Sequence, residues 1–353
     1  MTITYPLPTS FFDEFPGWST EFNLLWRQEQ SRTAGGRTVV KDMGSPLWQM
    51  TAQSRSMKPN ELDYWRARLT SLENGLKTFR VFPKSRCFPV AYPSGAIIGN
   101  AVPNPGFENG TTGWTFGSTA ALSSDARTGV RAAALTKSAA LGFGSAVRIP
   151  VTAGNSYSLT AWVKGDVAST GGCYLRGEWF TAPSGGTQLS YSDAAGNAPF
   201  TATYSQLGGT ITAPSTATYA QVQVYHTADS TASTMTVDDV DFRSVPSIAT
   251  IAANRKEISL SILPAGYKVS VGDYIQIGDK DLHMVMEPVT ASGSGVTTQF
   301  EVRPHLWPGV VAPVAATLVK PSCIMAIVPG SISTTADMAT GRGTVTFQAI
   351  EAR

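Results

Sequence analysis

Three short runs of strict alternation set the terms for this chain. Tyr157, Leu159, Ala161 and Val163 are interleaved with Ser158, Thr160, Trp162 and Lys164. Leu175, Gly177 and Trp179 are interleaved with Tyr174, Arg176, Glu178 and Phe180, and Val222 and Val224 with Gln221, Gln223 and Tyr225. A period of two sends alternate side chains to opposite faces of a strand and makes no apolar stripe on a helix. All three runs lie between Asn100 and Phe242, a stretch rich in Ala, Ser, Thr and Gly. Many short strands, turn-rich joints and no helical pattern predict an antiparallel β-sandwich of jelly-roll type.

Charge marks the edges of that stretch. Residues 99–246 carry seven Lys/Arg against nine Asp/Glu, net −2, whereas the remainder carries twenty against sixteen, net +4. The expected organisation is therefore a sandwich, 99–246, inserted into a discontinuous body formed by 1–98 and 247–353. In the body, Phe22, Leu24 and Trp26 alternate as in a strand, and Thr38–Val40, Leu47–Ala52 and Thr78–Phe82 read likewise. One helix is expected, opened by Pro59 and stopped by Asn74-Gly75, with Leu62, Trp65, Leu69 and Leu72 on its buried side. After Pro246, 258–262, a hairpin over 273–286, 298–302, 316–319, 324–328 and 344–350 continue the pattern. The fold class is mainly β, with about ten strands and one helix in the body.

Several functions are excluded. A net charge of +2 without single-sign runs gives nucleic acid no surface. No apolar run reaches membrane-spanning length, and the opening Met-Thr-Ile-Thr-Tyr-Pro has no basic segment leading an apolar one, so no secretory signal is expected. Cys87, Cys173 and Cys323 are odd in number and lack zinc spacing, so reduced thiols are expected. His226, His283 and His305 stand apart in sequence, and neither a nucleophile elbow, a phosphate loop nor a zinc-protease helix is present. Glycoside cleavage needs paired carboxylates, and Glu178 is the sole acid placed mid-strand among aromatics. No catalytic residue is assigned and the chain is expected not to be an enzyme.

What remains is a binding surface. A sugar ring offers one apolar face and a rim of hydroxyls, so its site needs an aromatic platform beside hydrogen-bonding side chains. Alternation places Trp162 off the core, together with Tyr174, Arg176 and Glu178, and with Gln221, Gln223 and Tyr225. Trp162 is either the platform or a residue packed under a loop or against the body; Trp114 and Trp179 are expected in the core. Glu108 near the start and Asp238, Asp239 and Asp241 near the end would meet if first and last strands pair. Such a seam could hold a hard cation such as calcium or form a solvated acidic edge.

Two resemblances follow from these residues. Val102-Pro103-Asn104-Pro105-Gly106-Phe107-Glu108, Trp114, Asp125-Ala126-Arg127-Thr128-Gly129 and Val237-Asp238-Asp239-Val240 resemble carbohydrate-binding modules of the galactose-binding-like, jelly-roll type. That resemblance implies a structural calcium at Gly106, Glu108 and Asp238, and sugar bound by Trp162, Arg176, Glu178 and Tyr225. The flanks resemble a tailed-phage distal tail protein in Leu25-Trp26-Arg27, Thr33–Arg37, Asn60-Glu61-Leu62, Gly272-Asp273-Tyr274 and Phe300–Pro304. This implies a virion protein forming a ring, usually hexameric, that joins tail tube to tail tip or baseplate, with the insert gripping host surface glycan. Such a ring would bury the aromatics of residues 11–26. The competing expectations are a polysaccharide-active enzyme with an appended module, and an insert that only contacts other tail proteins.

Overall fold

The computed structural model describes residues 4–136, 142–166, 172–227 and 234–352, apart from the Trp18 side chain. The chain divides into two compact units, one of Met1–Ile97 with Pro246–Arg353 and one of Ile98–Val245.

In the first unit, both ends of the polypeptide share one sheet. Its order is Gly17–Leu25, Leu47–Ser54, Gly343–Glu351, Cys323–Ile327, Thr78–Val81, with Ser333–Ala336 beside Gly343–Glu351. Leu47–Ser54, from the first hundred residues, pairs antiparallel with Gly343–Glu351, near the last. Six further strands close a barrel: Ser247–Ile251, Glu257–Ser261, Phe300–Arg303, Asp281–Val285, Tyr274–Ile277 and Val314–Thr317. The helix spans Pro59–Thr70, and Leu62, Trp65, Leu69 and Leu72 are all buried. Its proline sits in the first turn, where the missing N–H has no intrahelical partner to lose.

This unit departs from expectation in two respects. Among its described residues there are sixteen strands rather than about ten, since strands of two to four residues are too short to show a period. A helical turn at Ser10–Asp13 also turns Phe11 and Phe12 inward. Phe11 meets Trp65 and Phe79 edge-on at 5.6 and 5.4 Å, and Phe15 meets Trp65 at 5.1 Å. These phenylalanines are buried within the unit itself, so they do not call for a ring interface; among the described side chains there, Trp26 is a large aromatic that stays half exposed.

The second unit is the jelly-roll-like sandwich. Its strands are β1 (Trp114–Phe116), β2 (Ala120–Ser123), β3 (Ala132–Thr136), β4 (Phe143–Ser145), β5 (Ile149–Pro150), β6 (Ser156–Gly165), β7 (Cys173–Phe180), β8 (Gln188–Ala198), β9 (Ser205–Thr212), β10 (Tyr219–His226) and β11 (Thr234–Ser244). One sheet runs β8-β7-β10-β4-β1, with β5 beside β10; the other runs β9-β6-β11-β3-β2. Leu159, Ala161 and Val163 from one sheet meet Leu175, Trp179, Val222 and Val224 from the other in a single core. Trp114 and Trp179 are buried there. The alternation read from the sequence is thus the alternation of core and outer faces.

Cys87, Cys173 and Cys323 form no disulfide with one another, and burial pushes the Cys173 thiol up to about 12. His226 and His283 are buried with Nδ1 2.8 Å from the carbonyls of Thr227 and Pro304. Among the described residues, no helix is long and apolar enough to cross a membrane.

Candidate functional site

The outer side chains of β7 and its neighbours fall into rows across the first sheet. Arg176 on β7 stands opposite Gln223 on β10 and Asp193 on β8; Gln223 stands opposite Gly144 on β4, and Gly144 opposite Thr115 on β1. In the adjacent rows Glu178 lies between Gln221 and Tyr191, and Tyr174 lies beside Tyr225. Over the β1–β4–β10 part of this face runs a groove of about 270 Å³, walled by Phe116 and Tyr225 and lined by Thr115, Gln221 and Gln223. Gly144 leaves room for it, because a Cβ there would stand 2.2 Å from Gln223 Oε1.

Hydrogen bonds link the groove to the charged row beside it. Tyr225 Oη donates to Glu178 Oε1 at 3.2 Å, and Gln223 Nε2 donates to Glu178 Oε2 at 3.4 Å. Burial pushes the Tyr225 hydroxyl up to about 12, and the neighbouring Glu178 charge adds to this, so it remains a protonated donor at neutral pH. Arg176 is gripped by Asp193 through Nε–Oδ1 at 2.7 Å and Nη2–Oδ2 at 3.1 Å, and its guanidinium lies 3.7 Å from the Tyr191 ring centre. That hydrogen bond to Asp193 holds the Arg176 pKa above its ordinary value. The surface therefore offers two aromatic walls, amide groups that donate and accept, and one acceptor-only carboxylate. A polyol with an apolar face needs this combination.

Five of the six expected sugar-contacting residues come together here: Tyr174, Arg176, Glu178, Gln223 and Tyr225. Trp162 does not join them. It lies on β6, in the other sheet, and leaves the sandwich by the opposite face. There Arg127 covers its ring, with Cζ 3.7 Å from the ring centre. Arg127 also pairs with Asp239 at 2.7 Å, Lys164 pairs with Asp125 at 2.6 Å, and Tyr204 Oη donates to the Asp125 carbonyl at 2.6 Å. Trp162 packs under segment 125–131, the alternative left open by its sequence.

The expected calcium ligands grip the same segment. Asp238 is fully buried; its Oδ2 accepts the N–H groups of Arg127 and Thr128 at 2.8 and 3.1 Å, and its Oδ1 accepts that of Asp239 at 2.8 Å. Glu108 accepts the N–H groups of Val130 and Arg131. Gly106 backs onto Asp238, its Cβ position 3.5 Å from Oδ1. Calcium needs roughly six to eight oxygens with free lone pairs, and these oxygens already receive hydrogens. Among the described residues no group of three or more His, Cys, Asp and Glu could hold a metal ion. The donor set of Gly106, Glu108 and Asp238 does not fit calcium; it fastens a loop. Burial pushes the Asp238 carboxyl up and the Asp239 charge adds to this, against the pull of the three N–H groups.

Sequence reasoning missed Tyr191 and Asp193, because β8 is polar and exposed along most of its length and shows no apolar alternation. The one available signal was the Gly185-Gly186 turn just after β7, which implies a hairpin partner. Thr115, Phe116 and Gly144 lie on three-residue strands, too short to read.

Comparison with known proteins bears on this unit. Residues 99–232 match the family model described as a carbohydrate binding domain. No curated protein matches the chain. Among solved structures, the CBM22-1 xylan-binding domain of Paenibacillus barcinonensis Xyn10C is 18% identical, over 39% of this chain and 90% of that one, with a TM-score of 0.31. TmCBM61, solved with β-1,4-galactotriose, is 16% identical over 41% and 97%, with a TM-score of 0.29. The enzymatically active domain of tailspike protein 4 from bacteriophage CBA120 is 16% identical over 41% and 21%, with a TM-score of 0.33.

Proposed function

We propose that the unit of residues 98–245 binds a host surface carbohydrate in the groove of β1, β4 and β10, with the charged row of β7 and β8 at its side. The observation that carries this reading is the Gln223–Glu178–Tyr225 network beside a groove kept open by Gly144. An extended saccharide would stack on Tyr225 and Phe116 while its hydroxyls exchange hydrogen bonds with Gln221, Gln223 and Glu178.

The body serves as the mount in this proposal. Its motifs Thr33–Arg37, Gly272-Asp273-Tyr274 and Phe300–Pro304 support a non-enzymatic virion protein that forms a ring, hexameric in the resembled family, between a phage tail tube and its tip or baseplate. The binding half is tested by calorimetry of the intact protein against immobilised and soluble neutral and acidic oligosaccharides. Binding abolished by Tyr225→Ala at unchanged melting temperature is expected; silence across the panel sinks this half. The mounting half is tested by mass in solution and by immunogold imaging of assembled tails, and a stable monomer absent from particles sinks it.

A further inference from the structure

Apart from the tyrosines and the buried Cys173 and His226, the strands β8, β7, β10, β4 and β1 carry three ionisable side chains: Arg176, Glu178 and Asp193. Asp193 and Arg176 form a two-point pair at 2.7 and 3.1 Å, the fork geometry that guanidinium otherwise offers to carboxylate or phosphate ligands. The flat side of the guanidinium is also taken, by Tyr191 at 3.7 Å. Glu178 is left beside the groove with no cation paired to it, since Tyr225 and Gln223 donate to it without neutralising it.

We propose that Asp193 sets the charge selectivity of this face: by occupying the Arg176 guanidinium it leaves Glu178 as the net charge, so the site takes neutral saccharides and turns away those bearing carboxylate, sulfate or phosphate. The inference rests on the carbohydrate-binding reading above and adds a residue to it. Asp193 acts through Arg176, as a positioning residue. An ionised carboxylate accepts and never donates, so Glu178 selects the hydroxyl donors of a neutral sugar and repels an anionic one. Without Asp193, Arg176 would be an unpaired cation in the row beside the groove and a natural anchor for an acidic sugar.

The experiment titrates the intact protein with neutral hexasaccharides of the cello, xylo, manno and galacto series, and with hexagalacturonate as the acidic probe. The wild type should bind at least one neutral probe at least tenfold more tightly than hexagalacturonate. In Glu178→Gln/Asp193→Asn the three strand-borne charges pass from net −1 to net +1, and affinity for hexagalacturonate should rise at least tenfold and fall with added salt. Asp193→Glu should keep the wild-type preference. Asp193→Asn alone should show a smaller gain, about threefold, and serves if the double variant melts early. Equal or tighter binding of hexagalacturonate by the wild type, or no gain in either Asn variant, overturns the role of Asp193 while leaving carbohydrate binding intact. No binding of any probe by any variant overturns both.

Discussion

The two outer faces of the sandwich are made from the same kinds of residue and come to opposite ends. On the β6 face, Trp162, Arg127, Asp239 and Lys164 combine an aromatic, two cations and a carboxylate. On the β7 face, Tyr191, Arg176, Asp193 and Glu178 combine an aromatic, one cation and two carboxylates. The first set is closed by the chain's own segment 125–131, whose backbone N–H groups are spent on Asp238 and Glu108. Beside the second set, among the described residues, lies a groove lined by Gly144, Gln223 and Tyr225. Residue type alone does not make a binding site. What decides is whether the protein's own backbone has already used the hydrogen-bonding capacity.

The largest effect that could break this contrast is on stability. Asp238→Ala strands three backbone donors at a fully buried position. At about 1–3 kcal/mol for each unsatisfied buried group, a loss of roughly 3 kcal/mol or more is expected in chemical denaturation. A loss below about 1 kcal/mol would mean that segment 125–131 is not held as described. Next comes affinity on the open face. Glu178→Ala removes the charged acceptor beside the groove, and a roughly ten- to hundredfold weaker glycan affinity is expected at little change in stability. An unchanged dissociation constant would move the site away from β7.

Trp162→Ala sharpens the comparison directly. It removes a cation–π contact and leaves the Arg127 side chain without its aromatic floor, so a stability loss of about 1–2 kcal/mol is expected. Glycan affinity, read by the same calorimetry, should stay within about twofold of the wild type, because the residue lies on the far sheet. A tenfold loss of affinity without destabilisation would restore Trp162 to the site.

How much of this was legible follows from periodicity. The period of two in β6, β7 and β10 correctly separated Trp179 and Leu175 from Arg176 and Glu178, since burial on one face imposes that alternation. It also placed Tyr174, Gln223 and Tyr225 outside. It could not say which outward residues share a sheet, because that depends on strand order: β7 and β10 are neighbours while β6 belongs to the facing sheet. Nor could it show that a loop more than thirty positions away would lie on Trp162. Asp193 and Gly144 were invisible for a related reason. Their roles come from cross-strand register with Arg176 and Gln223, and register is set by pairing rather than by local pattern.

The smallest expected effect is the response to calcium, and its sign under acid makes it informative. A cation bound by Asp238 would favour the carboxylate, lower its folded pKa, and make this group's contribution to stability fade on acidification. Here burial raises the folded pKa above the ordinary value. The folded state then binds more protons than the unfolded one between those two values, so this group's contribution grows as pH falls through that window and is lost as pH rises through the folded pKa. Because Asn does not titrate, the destabilisation caused by Asp238→Asn should be larger near the acid end of the window than at neutral pH, as measured by urea denaturation. Chelator should leave the melting temperature within about 1 °C, less than the shift that 1 kcal/mol gives in a domain of this size. A chelator-induced drop of several degrees, reversed by calcium, together with a mutant penalty that shrinks in acid, would make the seam of Gly106, Glu108 and Asp238 a metal centre and leave the β6 face closed by an ion rather than by backbone alone.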